Sequence, residues 1–209
     1  RRLPVYILLD TSGSMKGEPI QSVNVGLDAM VNALRQDPFA LESVYISIIT
    51  FDIEAKEFLP LTPLEKININ TITVPDSGPT FMGAGINLLI SSLKRNLKIN
   101  KNDSKGDWSP LLFLMTDGSP SDIQDYDIAC KELKKFNFAN IIACAAGPKA
   151  KEESLRKITD QVFSLDIMDQ NSFISLFKWV SSSVSMGSKS MGLDNKTLPP
   201  PPAEVKVNI

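Results

Sequence analysis

The chain has 209 residues, of which 43% are apolar and 22% are charged, and its formal net charge is -2. This composition is typical of a folded globular protein, and the absence of a basic surplus predicts no nucleic-acid partner. Histidine is absent, which excludes catalytic triads that depend on it and the usual histidine-bearing zinc sites. The two cysteines are too few for a disulfide framework.

Membrane segments are not expected. The longest apolar runs are far shorter than the about 20 residues that a spanning helix needs. The first residues resemble a signal sequence only faintly, because Pro4 interrupts the apolar run, Asp10 ends it and no small-residue cleavage site follows. We therefore expect a cytoplasmic protein that makes no membrane contact.

Short apolar runs recur along the chain. Because these runs are continuous rather than alternating, they predict strands that are buried on both faces, as in a parallel sheet covered by helices. They occupy residues 5–9, 44–51, 111–115, 140–145 and 162–165.

The stretches between the runs carry apolar residues at helical spacing, within residues 20–34, 86–97, 128–136 and 173–180. Alternating strands and helices predict a doubly wound α/β fold, with a mostly parallel six-stranded sheet and helices on both faces. One strand should be antiparallel at the sheet edge. It lies near residues 55–59, too close to the preceding strand for a crossover helix, and Pro60 and Pro63 should stop it.

The apolar periodicity ends near residue 187, so we place one domain at residues 1–186 and a proline-containing tail at residues 187–209. Residues 199–202 are all proline and predict a polyproline II segment. Residues 203–209 then alternate in polarity like a strand. Two outcomes are open: the segment 198–209 docks on this domain or a neighbour, or it is a disordered linker.

Three polar loops fall where open α/β sheets bind their ligands, beyond the carboxyl ends of strands. Residues 10–14 (DTSGS) follow the first strand, residues 76–80 (DSGPT) open a helix, and residues 116–119 (TDGS) follow the strand at 111–115. Their carboxylates and hydroxyls are hard oxygen donors of the kind that Mg²⁺ takes. Gly13 permits a tight curl that turns alternate side chains toward one centre.

Each loop also has a purely structural interpretation. Aspartate and serine cap helix N-termini, and Thr-Asp-Gly is a common turn. Thr80 alone says almost nothing. The three loops occurring together, in this order, favour a single metal site.

The residues Asp10, Ser12, Ser14, Thr80 and Asp117 resemble, in order and context, the metal ion-dependent adhesion site of von Willebrand factor A (VWA) domains. The resemblance covers roughly residues 3–185. A narrower resemblance is to the bacterial tellurium-resistance TerY-like branch, which is often encoded beside a protein kinase and a protein phosphatase. It is carried by residues 2–15, 17–20, 37–38 and 177–184.

The resemblance implies that Ser12, Ser14 and Thr80 contact a divalent metal through their hydroxyls, while Asp10 and Asp117 hold its waters and the serine hydroxyls. The implied metal is Mg²⁺, with Mn²⁺ or Ca²⁺ as alternatives. The implied partner is a protein that presents an Asp or Glu to the metal. The narrower resemblance adds a kinase or phosphatase as candidate partner, and a role in tellurium resistance or stress response.

A single ionic contact rarely holds a complex without a wider buried patch. We therefore predict that the partner also contacts Met15, Gly17, Pro79 and Phe81, which flank the metal loops. The dipole of the helix beginning near Met82 should add to the attraction for anions.

Two other functions stay open. An aspartate after the first strand also suits a Mg²⁺-dependent phosphohydrolase, but those enzymes resemble Asp-x-Asp, and Ser12 stands where the second acid would be. No lysine is obviously placed for a phosphate, and no glycine-rich phosphate loop is present. The other alternative is a purely structural domain whose loops cap helices. The sequence therefore favours a non-enzymatic binding module.

Overall fold

The computed structural model describes residues 1–76, 78–100, 105–147, 150–189 and 198–207. In these residues, five parallel strands form the centre of a seven-stranded sheet and an antiparallel strand lies at each edge, in the order β3-β2-β1-β4-β5-β6-β7. The strands are β1 (Leu3–Asp10), β2 (Val44–Phe51), β3 (Ala55–Pro63), β4 (Leu111–Thr116), β5 (Asn140–Ala146), β6 (Val162–Leu165) and β7 (Val205–Val207).

Helices cover both faces of the sheet, as the doubly wound fold requires. They are α1 (Glu18–Arg35), α2 (Pro38–Ser43), α3 (Met82–Asn96), α4 (Ile123–Leu133), α5 (Glu152–Arg156) and α6 (Gln170–Lys189). Short 3₁₀ turns lie at Gly13–Met15 and Leu64–Lys66. None of the helices in the described residues is both long and apolar enough to cross a membrane.

The central strand β1 is buried along its whole length because its two faces serve two separate cores. Ile7 and Leu9 belong to the core beneath α1 and α6. Tyr6 and Leu8 belong to the core beneath α3 and α4. Alternation of side chains across a pleated strand produces this division, which explains why the run at residues 5–9 is continuously apolar.

Helix α1, which follows the first polar loop, is packed tightly on α6. A Cβ atom at Gly26 of α1 would lie 2.4 Å from Cδ2 of Phe177 and 3.2 Å from the carbonyl oxygen of Phe173. Only glycine lets the two helices approach so closely. The loop before α1 is therefore attached to a closely packed helix pair.

The structure corrects the predicted strand count. In the part of the chain that the structure describes, the sheet has seven strands and two antiparallel edges, not six strands and one, because residues 205–207 pair with β6 and cover an edge that would otherwise be unpaired. Docking of this part of the tail is thus confirmed. The boundary between a domain at 1–186 and a tail at 187–209 stays a prediction.

The second correction concerns β3, which was expected to stop at its prolines. It includes both Pro60 and Pro63. An edge strand tolerates proline because one row of its backbone groups needs no partner. The pairing with β2 also shifts between Ile46 and Ile48, opposite residues 59–62, so the strand accommodates Pro60 at an irregularity.

Candidate metal centre

The first and third polar loops leave the sheet side by side. Strand β1 ends at Asp10 and its parallel neighbour β4 ends at Thr116, with Leu9 paired to Met115 just before. β1 lies between β2 and β4, so the strand order reverses there. This is the position where open α/β sheets form ligand sites.

Hydrogen bonds connect the oxygen donors of these two loops. Oδ1 of Asp10 accepts from the backbone N–H of Ser12 at 2.8 Å, and Oδ2 accepts from the hydroxyl of Thr116 at 2.5 Å. The hydroxyl of Ser14 donates to Oδ1 of Asp117 at 2.8 Å and lies 3.3 Å from the hydroxyl of Ser12. Asp10, Ser12, Ser14 and Asp117 are thus gathered at one place.

The second loop adds Thr80 to this group. A Cβ atom at Gly118, the residue after Asp117, would lie 3.1 Å from Oγ1 of Thr80. The backbone N–H of Thr80 donates to the Ser121 hydroxyl at 3.2 Å, and its carbonyl accepts from the Ser121 N–H at 2.9 Å. The structure therefore brings all five predicted site residues together at the end of the sheet where β1 and β4 finish.

Most of this group is shielded from water. Asp10 is fully buried and Ser12, Thr80 and Asp117 are nearly so, whereas Ser14 is exposed. Burial raises the pKa of Asp10 from 3.8 to about 6, against the lowering effect of its hydrogen bonds from Thr116 and Ser12, and the charge of Asp117 adds to the increase. Two buried carboxylates with one exposed hydroxyl make an electronegative site that opens to solvent at Ser14.

The donor set fits a hard divalent cation. In the described part of the chain, no group of three or more His, Cys, Asp or Glu side chains is placed to hold a metal. The two cysteines are buried and unpaired in separate cores. What the loops supply is two carboxylates and three hydroxyls, and oxygen ligands of this kind suit Mg²⁺, Mn²⁺ or Ca²⁺.

Four residues were predicted to contact a partner, and for Met15 the structure contradicts that prediction. Its side chain is fully buried in the core beneath α1, because the 3₁₀ turn Gly13–Met15 directs it inward. Gly17 is exposed and has a φ of 89°, and Pro79 and Phe81 are half-buried. These three residues lie at the surface near the site.

The sequence suggested that the N-terminus of α3 attracts an anion of the partner. In the structure this helix end is already occupied by a side chain of the same chain. The carboxylate of Asp122 accepts from the backbone N–H groups of Gly83 at 3.1 Å and Ala84 at 2.9 Å. A carboxylate already occupies the positive end of this helix and offsets its dipole. The dipole of α3 is therefore not available to attract a further anion at this end of the helix.

Sequence reasoning missed two residues that organise the site, Thr116 and Ser121. The Thr116 hydroxyl bonds to Asp10 and accepts from the N–H of Gly118 at 3.1 Å. Thr116 was part of the third polar loop, and its place at the end of a strand beside β1 is the signal that could have identified it. Ser121 carries no such signal, because its contact with Thr80 spans 41 residues.

The chain belongs to the von Willebrand factor type A domain family, whose model matches residues 5–177. The family consists of metal-binding protein-interaction modules that are typically not enzymes. No curated protein is significantly similar to this chain in sequence.

Solved structures share the fold at low sequence identity. A von Willebrand factor type A protein from Catenulispora acidiphila has a TM-score of 0.64 and 16% identity, over 88% of this chain and 43% of that one. BatB from Bacteroides thetaiotaomicron has a TM-score of 0.57 and 17% identity, over 90% of this chain and 99% of that one. Proximal thread matrix protein 1 from the mussel byssus, with a zinc-occupied MIDAS motif, has a TM-score of 0.58 and 16% identity, over 90% and 46%. This chain spans less than half of the mussel and Catenulispora proteins.

Proposed function

We propose that this chain is a metal-dependent protein-binding module. Asp10, Ser12, Ser14, Thr80 and Asp117 hold one divalent cation, Mg²⁺ in the first place and Mn²⁺ or Ca²⁺ as alternatives. The partner is a protein that presents an Asp or Glu carboxylate to that cation.

The observation that carries the proposal is the hydrogen bond from Ser14 to Asp117, together with the contact between the third loop and Thr80. If the loops served only to cap helices, their oxygen donors would lie at separate helix ends. Instead, donors from all three loops lie close together. Ser12, Ser14 and Thr80 are suited to contact the cation directly. Asp117 accepts a hydrogen bond from the Ser14 hydroxyl and orients it, and Asp10 accepts from the backbone N–H of Ser12 and holds the loop in place.

Charge explains why the binding would favour an acidic partner residue. A bound divalent cation supplies a positive coordination position for a carboxylate oxygen. Three neutral hydroxyls in contact with the cation offset little of that charge, because the two carboxylates would act through those hydroxyls rather than bind the cation directly. Ser14 is the exposed member of the set, so the partner's carboxylate approaches from its side.

The comparisons support a metal at this site but leave its identity to experiment. The zinc-occupied motif belongs to the mussel protein, and the donor set of this chain consists of oxygen atoms, which favours Mg²⁺. The resemblance to the TerY-like branch suggests a protein kinase or phosphatase partner, in tellurium resistance or a stress response. A cytoplasmic setting is part of the same proposal.

Titration calorimetry of the whole chain with Mg²⁺ and with Mn²⁺ tests the metal site. We expect one site per chain, a loss of affinity of about 10-fold or more in Thr80→Ala, and no change in Asp28→Ala, which alters an exposed carboxylate of α1. Equal affinity in the wild type and Thr80→Ala would refute the site.

A second measurement tests the proposed mode of binding. Peptides with one glutamate should bind the chain in Mg²⁺, and the same peptides with glutamine should not. Binding that persists in EDTA, or that survives the change to glutamine, would show that no metal-bound carboxylate is involved.

A further inference from the structure

Two large apolar side chains are exposed beside the candidate metal centre. Ile53 and Ile123 are each 62% exposed to solvent. Ile53 lies in the turn between β2 and β3, and Ile123 is the first residue of α4. Single exposed apolar residues are ordinary on a protein surface, but a group around a binding site marks a contact surface.

Hydrogen bonds hold the residues that precede the two isoleucines close to Phe81 and to the start of α3. The N–H of Phe81 donates to the carbonyl oxygen of Asp52, the residue before Ile53, at 2.8 Å. The carboxylate of Asp122, the residue before Ile123, accepts from Gly83, two residues after Phe81. We call Ile53, Phe81 and Ile123 the apolar rim.

The apolar rim is continuous with the metal loops. Phe81 directly follows Thr80, one of the five site residues. Phe81 is half-buried, and its backbone lies against that of Asp52, the residue before Ile53. A partner whose carboxylate reaches the metal brings its neighbouring residues over this surface.

The segment that follows Ser14 has a different character. There Nζ of Lys16 pairs with Oδ1 of Asp76 at 2.5 Å, and both side chains are largely exposed. Two acidic residues also lie close to the apolar rim in the chain: Glu54, which follows Ile53 and pairs with Lys56 at 2.6 Å, and the exposed Asp125, two residues after Ile123. Asp125 would repel a second acidic residue of the partner.

We infer that the apolar rim selects the partner segment: it takes a large aliphatic or aromatic side chain next to the acidic residue that binds the metal. The inference rests on the proposed function and adds its sequence specificity. The occupant is a protein segment with one acidic residue, an apolar neighbour on the α3–α4 side and no second acid on that side. Burial of the two isoleucines gives such a segment an advantage over one that only carries the acid.

A displayed peptide library with one fixed glutamate and random flanking residues provides the probe. The immobilised full chain selects from it in Mg²⁺, and the selected peptides are then measured against variants. The test variant is Ile53→Ser with Ile123→Ser. The matched control is Ile128→Ser with Ile167→Ser, which changes two isoleucines that are 60% and 64% exposed, on the outer face of α4 and beyond β6.

We expect the selected peptides to carry Leu, Ile, Phe or Trp at a fixed offset on one side of the glutamate. The test variant should bind them at least about tenfold more weakly, as for loss of a buried apolar contact. The control should bind them as the wild type does. Both double variants should bind Mg²⁺ with wild-type affinity, because neither changes a site residue.

The outcomes separate the two claims. Peptides that bind in a Mg²⁺-dependent way with no apolar preference, or equally well to the test variant, would overturn the apolar rim and leave the proposed function standing. Absence of any Mg²⁺-dependent selection by the wild type would overturn both. Concentration-dependent self-association of the chain that is lost in the test variant would assign the surface to a second copy, against the inference.

Discussion

The hydroxyl of Ser14 donates a 2.8 Å hydrogen bond to the carboxylate of Asp117, although the two residues are 103 positions apart in the chain. The bond joins the loop after β1 to the loop after β4. It connects the exposed hydroxyl of Ser14 to the nearly buried carboxylate of Asp117. Two residues linked in this way should act as one unit in metal binding.

A double-mutant cycle tests that coupling. Ser14→Ala and Asp117→Ala should each weaken Mg²⁺ affinity by about 10-fold or more. The double variant should bind Mg²⁺ with nearly the same affinity as the single variant that binds it more weakly, because both changes break the same contact. Titration calorimetry measures the four affinities. Fully additive losses would mean that the two residues serve the metal independently.

Replacing Asp10 by asparagine should stabilise the metal-free protein. In EDTA at pH 7, Asp10→Asn should raise the free energy of unfolding by about 1–3 kcal/mol, since a buried ionised carboxylate with no cation is costly. In the same variant, Mg²⁺ should no longer raise the midpoint of urea unfolding. Lower stability of the variant in EDTA would contradict this account.

The pH dependence of that difference follows from the pKa. Folding raises the pKa of Asp10 from 3.8 to about 6, so the folded state disfavours ionisation. Below pH 3.8 the carboxyl is neutral in both states and brings no penalty. The penalty grows between pH 3.8 and 6 and is complete above pH 6. The advantage of Asp10→Asn should therefore appear across that interval.

The sequence was sufficient to predict the centre of the fold and to select five residues that the structure brings together. Continuous apolar runs identify parallel strands, and the polar loops that follow such strands are expected at one end of the sheet. The structure adds that β1 and β4 are neighbours. Features that depend on contacts distant in sequence were not predictable. The capping of Gly83 by Asp122 spans 39 residues, and the alternation of residues 203–209 indicates a strand without naming its partner.

Met15 shows a different limit. An apolar residue inside a polar loop is compatible with an exposed contact, and only the 3₁₀ turn shows that the side chain points inward. We expect Met15→Ala to lower the free energy of unfolding by about 2–5 kcal/mol, and Met15→Leu to lower it by less than about 1.5 kcal/mol. Urea unfolding measures both. Wild-type stability of Met15→Ala would indicate that the Met15 side chain is exposed rather than buried.

The close crossing of α1 and α6 makes a prediction at Gly26. Alanine is the better helix former by about 1 kcal/mol, yet Gly26→Ala should destabilise the protein by about 1–3 kcal/mol because its methyl group meets the Phe177 ring. Val25→Ala, at the exposed neighbouring position, is the control and should change little. Phe177→Leu in the Gly26→Ala background should recover part of the loss. A stabilised Gly26→Ala would show that the helices separate easily.

The last prediction concerns β7, which pairs with β6 through Val205–Val207. Val205 is 3% exposed and belongs to the core beneath α1 and α6, and Nε1 of Trp179 donates to the carbonyl oxygen of Pro199 at 2.9 Å. Val205→Asp should release the strand, since an unpaired carboxylate cannot stay in that core.

Hydrogen exchange should then show faster exchange at residues 205–207 than in the wild type, while Glu204→Gln, an exposed neighbour, keeps the wild-type rates. Mg²⁺ affinity should be unchanged in both variants, because β7 lies at the sheet edge, four strand positions from β1. Protection that survives Val205→Asp, or Mg²⁺ affinity that falls with it, would show that the tail is joined to the domain in another way.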